Sequence, residues 1–176
     1  MGARMPEHRR FSRSPSASRP LRALVAIGWL SAWLDGCGGF GVERYREAPP
    51  ADSLALRFVA EEGEAADEAL PRLGSDEVVP IEAGALVRAR HVAHVQLLEA
   101  GDGERVIVLQ LRDEGRVRLR EATLRTEGRR LAVVAGGHVV ATPVVRGVLD
   151  QTEIAVRVPA ADLEAAFAAL SADGRR

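Results

Sequence analysis

The chain has 176 residues, of which 47% are hydrophobic, 28% are charged and only 4% are aromatic, as expected for one globular domain with an aliphatic core and a leader in front of it. Its formal net charge is −1, but residues 1–36 contain six arginines and two acids, so the remainder carries 18 arginines against 23 acids. An acidic remainder with few aromatic residues is a poor nucleic-acid binder, because phosphate neutralisation and base stacking both lack residues.

The N-terminus has the layout of an export leader. Behind the arginines, residues 23–34 form a run of 12 uncharged residues. This length is typical of the apolar region of a signal peptide and is shorter than the about 20 residues that a membrane-spanning helix needs. Cys37, the only cysteine, follows in Leu34-Asp35-Gly36-Cys37. Leu34 and Gly36 fit the lipobox of bacterial lipoproteins, whereas Asp35 departs from it.

Acylation of Cys37 explains why the cysteine directly follows the apolar run and why the chain has only one cysteine. A chain with one cysteine has no internal disulfide. The sequence therefore predicts a lipoprotein-type signal peptide at residues 1–36, lipidation of Cys37, and a location in the bacterial cell envelope, anchored to a membrane and facing the periplasm. A plain signal peptide and an uncleaved anchor are the alternatives.

The stretch after the cysteine predicts a tether that leads into one folded domain. Residues 37–53 are rich in glycine and proline and lack a hydrophobic period, which is typical of a flexible linker. We therefore place the domain at residues 54–176. It opens with a strand at residues 54–59, where every second residue is a large apolar one.

An acidic stretch follows at residues 61–77. It predicts a loop with a short helix at residues 65–70, and residues 78–81 predict a brief strand. The acids lack the Asp-x-Asp spacing of calcium ligands, so a solvated face is favoured over a cation site.

A strand pair and a helix come next. Residues 91–99 and 105–112 predict two antiparallel strands joined by a turn at residues 100–103, whose Asp-Gly pair suits positive φ angles. Asp113 is placed to cap a helix that runs to about Thr126, with negative charge near the positive end of its dipole.

The clearest hairpin lies at residues 129–145. Two apolar arms flank Gly136-Gly137, a pair that supplies the positive φ angles of a tight primed turn. Since both arms are apolar almost throughout, both faces of these strands are predicted to be covered. Gly136 and Gly137 are accordingly assigned a structural role in the hairpin turn.

The chain closes with a strand at residues 153–158 and an amphipathic helix that starts at Pro159. The apolar residues that recur with helical spacing in this last segment are Leu163, Ala166, Phe167 and Leu170. Helices interspersed with hairpins predict an α+β fold, with a single antiparallel sheet and helices mainly on one of its faces.

The sequence holds no pattern that indicates a catalytic, cofactor or metal site. His91 and His94 lie three apart on a predicted strand and point to opposite faces, which argues against a metal site with His138 as third ligand and favours ordinary surface or edge histidines. The serines and threonines lie outside any Gly-x-Ser-x-Gly elbow, and phosphate-binding loops are absent. Acid pairs such as Glu61-Glu62 are typical of an acidic loop. We expect no cofactor and no enzyme activity.

Four segments together resemble a known family. The hairpin GRRLAVVAGGHVVATPVV (residues 128–145) is similar to the strand, turn, strand and proline signature of the head subdomain in the first periplasmic domain of SecD, the export-motor subunit of the bacterial Sec translocase. In the same order, residues 79–92 resemble its first short helix and strand, residues 113–123 (DEGRVRLREAT) its Glu-Gly helix, and residues 154–170 its last strand and helix. The resemblance covers roughly the last hundred residues.

One departure limits what the resemblance implies. The family usually carries Leu-Asp-Gly in the hairpin turn, and this chain has Ala135, Gly136 and Gly137 there, so no role of that aspartate carries over. The family's subdomain lies outside the membrane and is implicated in engaging emerging preprotein. The resemblance thus implies a protein-binding role in export or envelope maintenance. Together with the leader, it predicts a non-enzymatic envelope lipoprotein with a protein or peptide partner. A small envelope hydrolase that reuses the fold is the alternative.

Overall fold

The computed structural model describes residues 43–99 and 104–172. The strands in these residues are β1 (Glu43–Ala48), β2 (Ala55–Phe58), β3 (Glu68–Pro71), β4 (Val78–Ile81), β5 (Val87–Arg88), β6 (Val92–Glu99), β7 (Arg105–Leu111), β8 (Leu131–Ala135), β9 (His138–Ala141) and β10 (Glu153–Val156). The helices are α1 (Asp113–Thr123) and α2 (Leu163–Leu170), and short 3₁₀ turns at Ala89–His91 and Ala160–Asp162 precede β6 and α2.

The strands form two four-stranded antiparallel sheets and one hairpin. The first sheet has the order β1-β6-β7-β10, the second has the order β5-β2-β8-β9, and β3 pairs only with β4 as a hairpin sheet. The α+β class is confirmed, but the predicted single sheet is wrong. The chain crosses between the sheets repeatedly. The strands β6 and β7 lie in the first sheet, β8 and β9 follow α1 in the second, and β10 returns to the first.

The main core lies between the two sheets and is closed by the helices. Every second residue of β2, β6, β7 and β8 points into it, and α2 packs against β6, β7 and β8. The four residues of the predicted α2 stripe are all buried there, as the helical spacing predicted. Large side chains at the centre of this core are Leu56, Leu97, Ile107, Leu109, Leu119, Leu131 and Leu170.

A smaller core covers the opposite face of the second sheet. The β3–β4 hairpin lies over that face, where Val79 and Ile81 pack with Val134 and Val139. Single bridges hold the hairpin in place, one of which joins Arg72 to Val139. All five residues of β8 are therefore buried, which confirms that both faces of this strand are covered.

The central hairpin has the predicted turn. Gly136 has φ +59° and Gly137 has φ +79°, and the last pair of the ladder before the turn is Ala135 with His138. Ser53 also touches the turn, since its Oγ accepts a hydrogen bond of 2.9 Å from the Gly136 N–H. The two glycines thus form the turn between β8 and β9.

Gly137→Val is expected to lower the free energy of unfolding by about 1–3 kcal/mol, because a branched side chain resists a positive φ angle even where space is open. A Cβ at Gly137 would meet no atom within 4 Å, so the loss would come from backbone strain alone. The matched variant His138→Ala, at an exposed neighbouring position, is expected to change stability by less than about 0.5 kcal/mol. Urea melts of both variants measure this difference, and equal stabilities would contradict it.

Two predicted segments differ from the structure. The helix predicted at residues 65–70 is wrong, since β3 begins at Glu68 and pairs with β4. Alanine and glutamate favour a helix locally, but packing of Leu70 on the second core overrides that preference. Residues 43–48, assigned to the tether, instead form β1 on β6. The predicted turn at residues 100–103 lies outside the described residues.

Candidate protein-interaction site

The outer edge of β10 offers backbone hydrogen-bonding groups to a partner. The Leu111 N–H donates to the Thr152 carbonyl oxygen at 2.6 Å, and the ladder continues with Ile154 opposite Leu109. Antiparallel strands bond through every second residue, so the N–H and C=O groups of Glu153 and Ala155 point away from β7. Within residues 43–99 and 104–172, no backbone group pairs with them.

The other edges of the two four-stranded sheets are blunted. β1 carries a register irregularity between Arg44 and Arg46, and β5 has only two residues. The edge of β9 is occupied by the β3 side of the hairpin sheet, where the Leu73 N–H donates to the Val139 carbonyl oxygen at 2.9 Å. Bulges, short strands and covering segments are the usual ways in which proteins protect sheet edges. β10 has a regular register over its four residues.

A cavity of about 250 Å³ lies at the C-terminal end of β10. Its walls come from the residues after β10, from β9, from the turn between β3 and β4, and from the start of α2. The wall residues that bear on the later argument are Arg72, Leu73, Val140, Arg157, Pro159 and Asp162. The cavity therefore lies between the segment after β10, the strand β9 and the turn that joins β3 to β4.

The two arginines in the wall of this cavity each form an ion pair. Arg72 contacts Glu77 at 2.9 Å, and Arg157 contacts Glu104 at 3.2 Å. Asp162 lies against Gly74, where a Cβ would come 2.5 Å from Asp162 Oδ1. Because each guanidinium already has a carboxylate beside it, the cavity does not select a small anion. Leu73, Val140 and Pro159 supply the apolar part of its wall.

A second chemical cluster surrounds His91 at the start of α1. The His91 side chain is only 2% exposed, so the prediction of a surface or edge position is wrong for this residue. The Arg88 N–H donates to His91 Nδ1 at 3.1 Å, and the Arg90 Nε–H donates to His91 Nε2 at 3.0 Å. His91 Nε2 also lies 3.3 Å from Glu114 Oε1.

The surroundings of His91 disfavour its protonated form. Burial lowers the pKa of the imidazole below its ordinary value, the nearby Glu114 carboxylate opposes this, and Arg90, Arg118 and Arg88 add to the lowering. The pKa of Glu114 is also lowered, chiefly by its hydrogen bond from Arg118. Through the contact between His91 and Glu114, the cluster joins α1 to the 3₁₀ turn before β6. The His91 imidazole in this cluster is favoured in its neutral form.

Stability is expected to fall as the pH is lowered from about 7.5 to about 5.5. As the pH falls, the histidine of the unfolded chain, with a pKa of about 6.5, takes up a proton first. The pKa of His91 in the folded chain is lower, so the folded state resists protonation. The stabilisation present above pH 6.5 is therefore lost as the pH falls toward the pKa of folded His91. Urea melts at several pH values measure this slope. His91→Gln should flatten it, whereas His94→Gln, at an exposed site, should not. An unchanged slope in His91→Gln would contradict the assignment.

The acidic loop is bound to the second sheet by two arginines. The Arg57 guanidinium contacts Asp67 at 3.0 Å and also Glu68. Arg129 contacts Glu64 at 2.9 Å and stacks over the Phe58 ring at 4.7 Å. Asp67, Glu68 and Glu64 remain exposed beside these arginines, which fits the predicted solvated face.

The structure places the other predicted candidates apart from one another. His94 lies 3.4 Å from Glu47, and His138 Nδ1 lies 3.0 Å from the Gly136 carbonyl oxygen. Among the described residues, no three histidine, cysteine or acidic side chains are arranged as metal ligands. Cys37 lies outside the described residues. No helix in the described ranges is long and apolar enough to span a membrane.

Sequence reasoning located β10 but missed the edge and the cavity as candidate sites. The strand at residues 153–158 is predicted from its own alternation, whereas its edge position depends on the strand order. Arg72, Asp162 and Arg157 come from separate segments and meet only in the folded chain. No local signal in the sequence marks them as neighbours.

The fold is shared with solved structures of SecDF. A crystal structure of SecDF in its super-membrane-facing form matches 66% of this chain and 18% of its own, with 21% identity and a TM-score of 0.52. A structure of SecDF described as a membrane component that enhances protein export matches 68% of this chain and 61% of its own, with 17% identity and a TM-score of 0.50. No protein-family model and no curated protein matches the sequence. The chain has a SecDF-like fold, which confirms the fold that the resemblance predicted.

Proposed function

We propose that the chain is a non-enzymatic envelope lipoprotein whose SecD-head-like domain binds protein or peptide partners during export or envelope maintenance. The observation that carries this proposal is the SecDF-like fold over two thirds of the chain. The chain spans only a part of each SecDF chain, so the activity of the whole SecDF protein is not transferred, and only engagement of a polypeptide is proposed.

The described side chains agree with a binding role. The cavity and the open edge of β10 adjoin each other and present neutral backbone and paired charges. The hydrolase alternative would need a titratable group with a shifted pKa inside a cleft. His91 and Glu114 have shifted pKa values, but neither lines the cavity. No specific observation therefore favours a hydrolase.

Site-specific photo-crosslinking in intact cells tests the binding role. A photoreactive residue is introduced at the exposed positions Val117, Leu124, Val148 and Glu153, one at a time. We expect light-dependent adducts with another polypeptide, which increase when a non-folding exported protein is overproduced. Deletion of the chain should also slow maturation of exported precursors or sensitise the envelope. The absence of adducts at all four positions, together with unaltered precursors and envelope, would contradict the proposal.

The anchor has its own test. If Cys37 is acylated, Cys37→Ser should move the protein from the membrane fraction to the soluble periplasmic fraction and abolish labelling by a fatty-acid probe. Membrane fractionation and intact-mass measurement report both effects. A Cys37→Ser protein that stays in the membrane with unchanged mass would contradict lipidation and favour an uncleaved anchor.

A further inference from the structure

We propose that β10 is the docking strand for an extended polypeptide, which adds to the first sheet as a fifth strand and places one apolar side chain in the adjoining cavity. The inference rests on the proposed binding function and specifies its mode. An extended backbone is the occupant because only a second strand repeats donors and acceptors at the spacing that Glu153 and Ala155 present.

The edge itself supports strand addition. The N–H groups of Glu153 and Ala155 point outward without a partner in the described part of the chain, whereas Ile154 and Val156 are tied to β7 and buried in the core. An incoming strand would therefore gain hydrogen bonds without breaking any that hold the fold. The four-residue length of β10 limits the number of new bonds, which suits a partner that must be released again.

The cavity explains how such a short edge gains selectivity. Its wall includes Arg157 and Pro159, which follow β10 directly in the chain. Its volume of about 250 Å³ is below the roughly 300 Å³ at which drug-sized ligand pockets begin. One large side chain is the better fit. Leu73, Val140 and Pro159 supply apolar wall, and the paired arginines supply no net charge to repel it.

The backbone character of the contact is tested with a fluorescent peptide of alternating threonine and valine that ends in leucine, titrated into the full chain in detergent. A peptide of the same sequence with methylated backbone nitrogens keeps the side chains but loses the donors. We expect methylation to abolish binding, and a terminal glycine in place of leucine to weaken it about tenfold. Equal affinity of the methylated peptide would overturn strand addition, and equal affinity of the glycine peptide would overturn the cavity assignment.

A matched pair of variants places the contact on β10. Ala155→Pro removes an outward N–H without touching the ladder to β7, a position at which an edge strand tolerates proline, whereas Ala155→Ser keeps the donor. We expect Ala155→Pro to weaken peptide binding at least tenfold and Ala155→Ser to bind within about twofold of the parent. Binding of Ala155→Pro within twofold of the parent would overturn the proposal.

Amide exchange gives a readout that does not depend on a folded proline variant. In the parent chain, saturating peptide should slow exchange at the Glu153 and Ala155 amides and leave the Ile154 amide, already bonded to β7, nearly unchanged. Unchanged exchange at Glu153 and Ala155 would overturn the docking mode. In cells, adducts from Val117 or Leu124 with none from Glu153 would reject docking on β10 and leave the binding function standing, whereas no adducts at any position, together with unaltered precursors and envelope, would reject the function itself.

Discussion

A chain that begins at Ser53 is expected to be less stable than one that begins at Gly41 by on the order of 4 kcal/mol. The shorter chain lacks β1 and therefore loses the ladder that β1 forms with β6 from Arg46 to Ala48. It also loses the bond that the Ala51 N–H donates to the Leu170 carbonyl oxygen at 2.8 Å. Each such bond contributes roughly 1 kcal/mol net.

Packing adds to this loss. Ala48 and Ala51 are buried, and the Arg46 guanidinium stacks over the Phe167 ring of α2 at 4.6 Å while pairing with Glu164. Urea melts of the two chains, followed by far-UV circular dichroism, measure the difference. Equal midpoints and slopes would mean that β1 contributes nothing to the domain and that the predicted tether extends to Ser53 after all.

The elements that were predicted correctly are those whose signal is local. The hairpin around Gly136-Gly137 follows from backbone conformations that glycine alone adopts freely, and α2 follows from apolar residues at helical spacing. Residues 54–59 alternate, and the structure buries Leu54, Leu56 and Phe58 together in the main core. In these segments, local preference and tertiary packing favour the same structure.

The elements that were missed depend on partners far away in the sequence. β1 has charged residues among nearby glycines and prolines, and only its pairing with β6 makes it a strand. The sheet order, which divides the strands among three sheets and leaves β10 at an edge, depends on pairings between strands that are distant in sequence, such as β1 with β6 and β2 with β8. The burial of His91 is equally non-local, because the ring is covered once α1 folds back over the turn before β6.

Gly115→Ala is expected to lower the free energy of unfolding by about 2 kcal/mol, although alanine is the better helix former by about 1 kcal/mol. Gly115 lies in the first turn of α1 and is buried, and a Cβ there would come 2.6 Å from the His91 carbonyl oxygen and 3.0 Å from His91 Cβ. Since that carbonyl also accepts the Arg112 N–H at 2.8 Å, relieving the clash would break this bond or displace the helix.

The control for Gly115→Ala is Gly147→Ala. A Cβ at Gly147 meets no atom within 4 Å, and its backbone does not have a positive φ angle, so this variant should stay within about 0.5 kcal/mol of the parent. Urea melts of the two variants should therefore differ by about 2 kcal/mol, and amide exchange should locate the change at His91 and the first turn of α1. A Gly115→Ala protein as stable as the parent would contradict the prediction. It would mean that the higher helix propensity of alanine offsets the clash, and that the close packing of α1 on His91 does not limit stability.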